Sequence, residues 1–385
     1  MNRCRVDSKS SGVRNIRARR GEGQGEREVI HLQISQGGEW PTDVAVLDEI
    51  ESMCAISGVG AEGEDAGMGS LKNIGNTCYL NALLHALAAL PAIVAWTERH
   101  ASVPGSCDIE CPLCALRADL AHIRRAKSAE PYEPKTVRLR ASWSRGRFNN
   151  NMQQCVGEAL QALCQALETA DIRHCRAMTS SAAVRDAPLQ AFVGRTSLWQ
   201  CFGGTLQSNV RCRLCNDEGT SLDPFSVLTL TIPRDATSLQ DLIEHAKAEE
   251  LLAEDDRCEK CEYTKCRVRT LTVSKWPRVL CIHLVRRMTE FRQGRLHPWK
   301  IQTRIRFDDT LKPAEHAPAY KLRSVCVHTG GAESGHYTAF RRSSGDNWLY
   351  CDDAMQPKQV PLDSVLKAQA YALFYEATAP AAEFA

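Results

Sequence analysis

Cysteine pairs at one short spacing constrain this chain more than any other feature. Cys111/Cys114, Cys212/Cys215 and Cys258/Cys261 each follow C-x-x-C, the spacing at which two thiolates reach one zinc ion. With 18 cysteines in 385 residues, composition alone gives roughly 0.8 such pairs, so chance does not account for all three. The cysteine content nonetheless falls below that of disulfide-stapled scaffolds. No apolar h-region follows Met1, so no secretory signal is expected. The expected compartment is therefore reducing, cytoplasmic and/or nuclear, where thiols serve as buried apolar groups, metal ligands or nucleophiles.

Two of the pairs, Cys212/Cys215 and Cys258/Cys261, are separated by 42 residues and flank strand-like segments. Two hairpin tips offering four thiolates would hold one tetrahedral Zn²⁺ in a closed, structural site. Cys107, Cys111 and Cys114, with His100 as a candidate fourth ligand, form a second possible zinc site. The charge balance, 48 basic against 46 acidic residues, gives no global drive toward nucleic acid or an anionic membrane. The longest apolar stretch, Ala82 to Trp96, contains His85 and Pro91 and is too short to span a bilayer.

The length allows two or three domains. Seven basic residues precede position 21 against the single acid Asp7, whereas Thr42 to Gly69 carries seven acids and no Lys or Arg. Residues 1–69 are therefore expected to be a mostly disordered arm, basic then acidic. A nuclear or mitochondrial address is the sharper alternative. From Leu71 the pattern turns globular. Leu80, Leu83, Leu84, Leu87 and Leu90 predict an amphipathic helix stopped by Pro91, and Val156 to Leu167 predicts a second. Alternation over Phe225–Ile232, Val268–Val273, Val279–Val285 and Leu322–His328 predicts strands. Helices lead and strands follow, which predicts an α+β fold.

Cys78 stands at the start of the leucine-striped helix, with Asn76 and Thr77 as candidate N-caps. The positive end of a helix dipole favours thiolate and lowers a thiol's pKa. A nucleophilic thiol needs a base, and the base an orienting group. His336–Arg342 and Asn347–Cys351 read as a hairpin around Ser343–Asp346. Folded at residue 344, it would set Asp352 opposite His336, where a carboxylate can hold the imidazole Nδ1–H.

Together these segments resemble the ubiquitin-specific protease family of papain-like thiol deubiquitinases. Ser70–Leu87 (SLKNIGNTCYLNALLHAL) is similar to its Cys box. Tyr320–Phe340 (YKLRSVCVHTGGAESGHYTAF) and Asn347–Asp353 (NWLYCDD) are similar to its His box. Phe202–Cys215, Asp223–Ile232 and Asp256–Cys261 resemble the finger segment, and Trp276–Leu284 the strand that follows. The resemblance implies a right-hand architecture: a helical thumb, a β-rich palm and zinc-bearing fingers at about 203–275, within a catalytic domain spanning 70–378 and followed by a short tail, 379–385. It implies Cys78 as nucleophile, His336 as base, Asp352 as the orienting acid, Asn73 as oxyanion donor and Asp353 as an assisting acid. Gln154, Glu158 and Tyr337 would contact ubiquitin's tail, and Cys212, Cys215, Cys258 and Cys261 would hold structural zinc. The implied partners are ubiquitin and ubiquitinated proteins, with no direct nucleic acid and no membrane. The implied reaction is hydrolysis after ubiquitin's C-terminal glycine.

Three departures stand out, the last of them a stretch between the Cys and His boxes that is short for the family. The family's Gln-Gln-Asp reads Gln153-Gln154-Cys155, with Glu158 kept, and its Arg-Phe strand end reads Val285-Arg286-Arg287. A neutral Cys155 would leave Glu158 alone to face the basic tail. Two other function classes compete. A catalytically silent ubiquitin-binding scaffold would suit the first departure, although Cys78, His336, Asp352 and Asn73 are all present. A zinc-finger nucleic-acid protein lacks the basic, aromatic-rich helix it would need.

Overall fold

Val279–Val285 (VLCIHLV) is almost wholly buried and forms an interior strand, as continuous apolar runs do where a sheet is covered on both faces. The computed structural model describes residues 43–55, 67–100, 107, 110–126, 130–192, 194–292 and 294–378. In chain order the helices are α1 (Val44–Cys54), α2 (Cys78–Ala88), α3 (Pro91–His100), α4 (Pro112–Arg125), α5 (Lys135–Arg138) and α6 (Arg140–Trp143). They continue as α7 (Val156–Met178), α8 (Ala182–Arg185), α9 (Ser197–Phe202), α10 (Leu239–Lys247) and α11 (Leu362–Leu366). The first seven strands are β1 (Gly204–Cys212), β2 (Glu218–Phe225), β3 (Leu228–Thr231), β4 (Glu250–Leu251), β5 (Arg267–Lys275), β6 (Val279–Val285) and β7 (Arg287–Arg292). Then come β8 (Arg295–Lys300), β9 (Thr310–Leu311), β10 (Tyr320–Gly330), β11 (Gly335–Arg342), β12 (Trp348–Asp352), β13 (Met355–Val360) and β14 (Ala370–Ala377).

Eight strands form the main sheet in the order β13-β12-β11-β10-β14-β6-β3, with β9 on β10 off this path. Only the β3–β6 pairing among them is parallel. Alternate residues of a strand face opposite sides, and here the sides build two cores. Val279 and Cys281 join the helical core of α2, α4 and α7. Leu280, Ile282 and Leu284 meet Leu239, Leu242 and Ile243 of α10 on the other face. A Ser238/Asp241 capping box starts α10, satisfying backbone donors that the helix itself leaves open.

The architecture is α+β, with several departures in detail. The leucine stripe predicts one wet face on α2, yet all of Cys78–Ala88 is buried. The reason is that α2 lies between the sheet and α4 and α7: Ser324 Oγ donates to Ala86 O at 2.9 Å, and Arg124 covers the terminal Ala88 carbonyl at 2.9 Å. Pro91 does not simply end the helical path. It opens α3 after a 94° bend, because a first-turn proline has no intrahelical N–H bond to lose. Among the described residues no single helix is long and apolar enough to cross a membrane.

The acidic segment is not all arm. Val44–Cys54 forms α1, capped by Asp43, and sets Ile50 and Cys54 against Cys175, Val184, Ala191 and Phe192. Its apolar residues recur at helical spacing, a signal masked by the acids between them. Residues 1–42 and 56–66 lie outside the described residues. Phe225–Ile232 is also not one strand, since β2 ends at Phe225 and β3 joins the other sheet. The finger sheet, β2-β1-β5-β4, therefore excludes β3 and α10, although both fall within 203–275.

Candidate active site

The loop before α2 is shaped by one side chain. Asn73 Oδ1 accepts from Gly75 N at 3.2 Å, Thr77 N at 3.1 Å and Thr77 Oγ1 at 3.3 Å, a local turn of the kind asparagine favours. Gly75 (φ 108°) and Asn76 (φ 50°) are left-handed. A Cβ on Gly75 would also come within 3.1 Å of Asn151 Oδ1. Thr77 occupies the N-cap position but makes no side-chain cap, because its hydroxyl accepts from Ile74 N at 3.1 Å instead. Asn76 does not cap either; its Nδ2 donates to Asn151 O at 2.5 Å.

Cys78 is the first residue of α2, with 2% of its surface exposed. Its thiol does not show the lowered pKa that the helix dipole predicts. Burial pushes it up; the Tyr337 N–H opposes this, and the Asp353 carboxylate adds to it. A terminal dipole contributes about 0.3–1 kcal/mol, which burial outweighs.

His336 enters near the start of β11 and Asp352 ends β12, with Nε2 to Oδ1 at 2.7 Å. The Tyr350 hydroxyl donates to Asp352 Oδ2 at 3.3 Å. The expected pair is met, but in a different register. Arg342 pairs with Trp348 and Ala339 with Cys351, which centres the hairpin on residue 345 rather than 344. Asp352 is thus diagonal to His336 rather than opposite it, and strand periodicity of two keeps both on one face. The ring presents Nε2 to the carboxylate where Nδ1 was expected.

Asp353 (φ 42°) ties the loop to the helix. Its Oδ2 accepts from Asn73 Nδ2 and its Oδ1 from Asn81 Nδ2, both at 2.8 Å. Asn81 also donates to Lys72 O at 3.1 Å. The motif pattern did not single Asn81 out, although an amide inside an apolar helix three residues past Cys78 demands a partner.

At the start of α7 a cleft is lined by Gln154, Cys155, Arg287, His328, Tyr337 and Tyr371 among others. Gln154 Nε2 donates to Asn150 Oδ1 at 2.9 Å, while Gln153 donates to Gly335 O beside His336. Glu158 is exposed in the first turn of α7. Tyr337 is 4% exposed, its ring wedged between His328 and Tyr371 at 4.5 and 5.4 Å, so its side chain is a wall rather than a projecting contact. Cys155 is the N-cap residue of α7, and its Sγ lies 3.3 Å from His283 Nε2. Burial resists its ionisation most, but the imidazole and the Glu158 N–H together outweigh it and hold the thiol below the ordinary cysteine range. Cys155 is therefore a more acidic thiol than the motif alone implied. Arg286, the second departure, is fully buried and donates to Ala370 O at 2.6 Å and to the Ile301 and Thr303 carbonyls. It braces the sheet, and burial lowers it to about 10.

The four finger thiols converge. Cys212–Cys261 and Cys215–Cys258 sulfurs are 3.7 and 3.6 Å apart, and all four lie within 4.8 Å of one another. A tetrahedron of 2.3 Å Zn–S bonds separates its sulfurs by about 3.8 Å, so the donor set fits zinc. The second candidate also assembles: His100 Nε2 is 2.9 Å from Cys107 Sγ and 3.4 Å from Cys111 Sγ, with Cys114 inside the same 4.8 Å group.

The family model described as "Ubiquitin carboxyl-terminal hydrolase" matches residues 69–375. Ubiquitin carboxyl-terminal hydrolase 23 of Arabidopsis thaliana is 32% identical over 320 residues, covering 79% of this chain and 35% of that protein. Ubiquitin carboxyl-terminal hydrolase 22 of Mus musculus is 25% identical over 362 residues, covering 80% and 66%. The chain thus spans about a third of the length of the Arabidopsis protein. Among solved structures, a SAGA DUB module of Ubp8, Sgf11, Sus1 and Sgf73 bound to monoubiquitin matches with a TM-score of 0.68 at 23% identity, covering 87% of this chain and 75% of that one. That likeness is one of fold.

Proposed function

The chain belongs to the ubiquitin carboxyl-terminal hydrolase family, and from that premise we propose that it is a thiol-dependent deubiquitinase cleaving after ubiquitin's C-terminal glycine. The observation that carries the reading is that the start of α2 meets β11 and the end of β12: the Tyr337 N–H faces the Cys78 thiol, Asp353 holds Asn73 and Asn81, and His336, next to Tyr337, pairs with Asp352. In the proposed reaction His336 takes the Cys78 proton and the sulfur bonds to the glycine carbonyl carbon. The amine leaves with the proton that His336 returns, and water then hydrolyses the thioester with His336 again as base. Asp352, at 2.7 Å, fixes the ring and stabilises the imidazolium.

The raised pKa of Cys78 suits a thiol kept protonated until substrate excludes water and His336 acts. Asn73 is the proposed oxyanion donor, and Asp353 holds its amide in place. Donors of this kind contribute about 10²–10³ in rate. Gln154, Glu158 and the Tyr337 wall are the proposed cleft for ubiquitin's tail. Zinc held by Cys212, Cys215, Cys258 and Cys261 would cross-link the finger tip, and the His100/Cys107/Cys111/Cys114 group is proposed as a second structural site.

The test is covalent capture. A ubiquitin probe with a C-terminal electrophile is expected to form one adduct, on Cys78. Capture elsewhere, or none by folded zinc-loaded protein, sinks the reading.

A further inference from the structure

We propose that Cys155 is a second reactive thiol of the cleft, a site of reversible oxidation by hydroperoxides served by His283 and His328. Three features carry this. The sulfur sits at the N-terminus of a 23-residue helix with an imidazole nitrogen 3.3 Å away, an arrangement that stabilises thiolate. That closeness is built in: a Cβ on Gly157 would lie 2.5 Å from the His283 ring, so glycine there lets the ring reach the helix start. On the other side, His328 lines the same recess, is 7% exposed, and has a buried Nδ1 with no hydrogen-bond partner. The recess encloses about 20 Å³, room for one water-sized molecule. A polar molecule of that size fits it, beside Cys155 and His328.

The chemistry balances with hydrogen peroxide as co-reactant. The Cys155 thiolate attacks one peroxide oxygen, the S–O bond forms and the O–O bond breaks. The departing hydroxide takes the imidazolium proton of His283 and leaves as water. Sulfur is oxidised to the sulfenic acid and peroxide is reduced; an added thiol then restores the cysteine by way of a mixed disulfide. Cys155 stands where the family places an acid, so the added oxygen would alter the surface offered to ubiquitin's tail. That consequence, unlike the oxidation itself, rests on the proposed function.

The experiment treats zinc-loaded full chain with graded hydrogen peroxide, unfolds it into dimedone, and maps the labelled peptides. Cys155 is expected to be labelled first, about tenfold faster than Cys78 or Cys164, the latter buried with its thiol pushed up to about 12. His283→Gln should slow Cys155 labelling about tenfold while the melting curve shows a folded chain. Labelling of Cys78 or Cys164 before Cys155, or a folded His283→Gln protein labelled at the wild-type rate, overturns the proposal. Should that variant fail to fold, the wild-type labelling order decides alone. Dimedone reads Cys155 whether or not the chain hydrolyses ubiquitin. An inactive chain with Cys155 labelled sinks the functional reading, and an active chain with Cys155 unlabelled sinks this one.

Discussion

Cys78 and Cys155 occupy matched places, each at the N-terminus of a helix that abuts the sheet, yet their thiols shift in opposite directions. The helix start is common to both and does not by itself set either shift. For Cys78, burial and the Asp353 charge prevail over the Tyr337 N–H. For Cys155, an imidazole in contact and the Glu158 N–H together prevail over burial. A helix start therefore selects where a thiol is useful, while its immediate neighbours set the resting protonation state. The thiol assigned to acyl transfer rests protonated, and the one assigned to peroxide rests nearer its anion.

The largest expected effect tests whether the two thiols can exchange roles. Cys78→Ala should lower hydrolysis of a fluorogenic ubiquitin substrate by about 10³-fold or more, leaving background turnover. Residual activity that disappears only on adding Cys155→Ala would mean that the second pair can act as a nucleophile, and would break the comparison. Asp352→Asn should cost less, about 10²-fold in kcat, since an amide can still orient His336. A loss as large as that of Cys78→Ala would show that the carboxylate's charge, rather than its aim, governs the base.

A third set of thiols sharpens the contrast, because metal rather than a proton would occupy them. Stripping zinc should loosen β1 and β5 and raise KM about tenfold while kcat changes little, since the finger cluster lies in another sheet from His336. Metal analysis of purified chain is expected to find one tightly bound Zn²⁺ at the fingers, and two if the His100 group is also loaded. A stoichiometry near zero excludes both.

What was legible in the chain depended on whether the signal was local. C-x-x-C spacing marked all four thiols that converge at the finger tip, and the run VLCIHLV marked β6 to the residue. The His336–Asp352 pairing was readable because a hairpin brings its ends together, and only the register and the ring nitrogen differed. Helix α1 was missed because its acids dominated the composition, although its apolar spacing was present. The Cys155–His283 contact joins residues 128 positions apart. No periodicity reports such a pair; only the packing of α7 on β6 creates it.

The smallest expected effect concerns the charge at position 155. If the Cys155 thiolate supplies the negative charge that the family draws from a carboxylate, the order of kcat/KM should be wild type close to Cys155→Asp, with Cys155→Ser lower by a few-fold. A carboxylate there would not be stranded, because His283 Nε2 is already in place at 3.3 Å from the sulfur, and His283 is itself held above its ordinary range by that neighbour despite burial. Cys155→Asp should therefore keep its melting temperature, whereas a buried carboxylate without a partner would lower it. It should also lose the early peroxide step at this position, leaving the slower oxidation of Cys78. The protonation signs add a further check. Because the Cys155 thiol titrates below its ordinary range, lowering the pH should narrow the gap between wild type and Cys155→Ser as the thiolate is neutralised, while Cys155→Asp keeps its advantage to lower pH. If Ser and Asp behave alike at every pH, charge at this position is irrelevant to substrate, and the two helix-start thiols differ in reactivity but not in recognition.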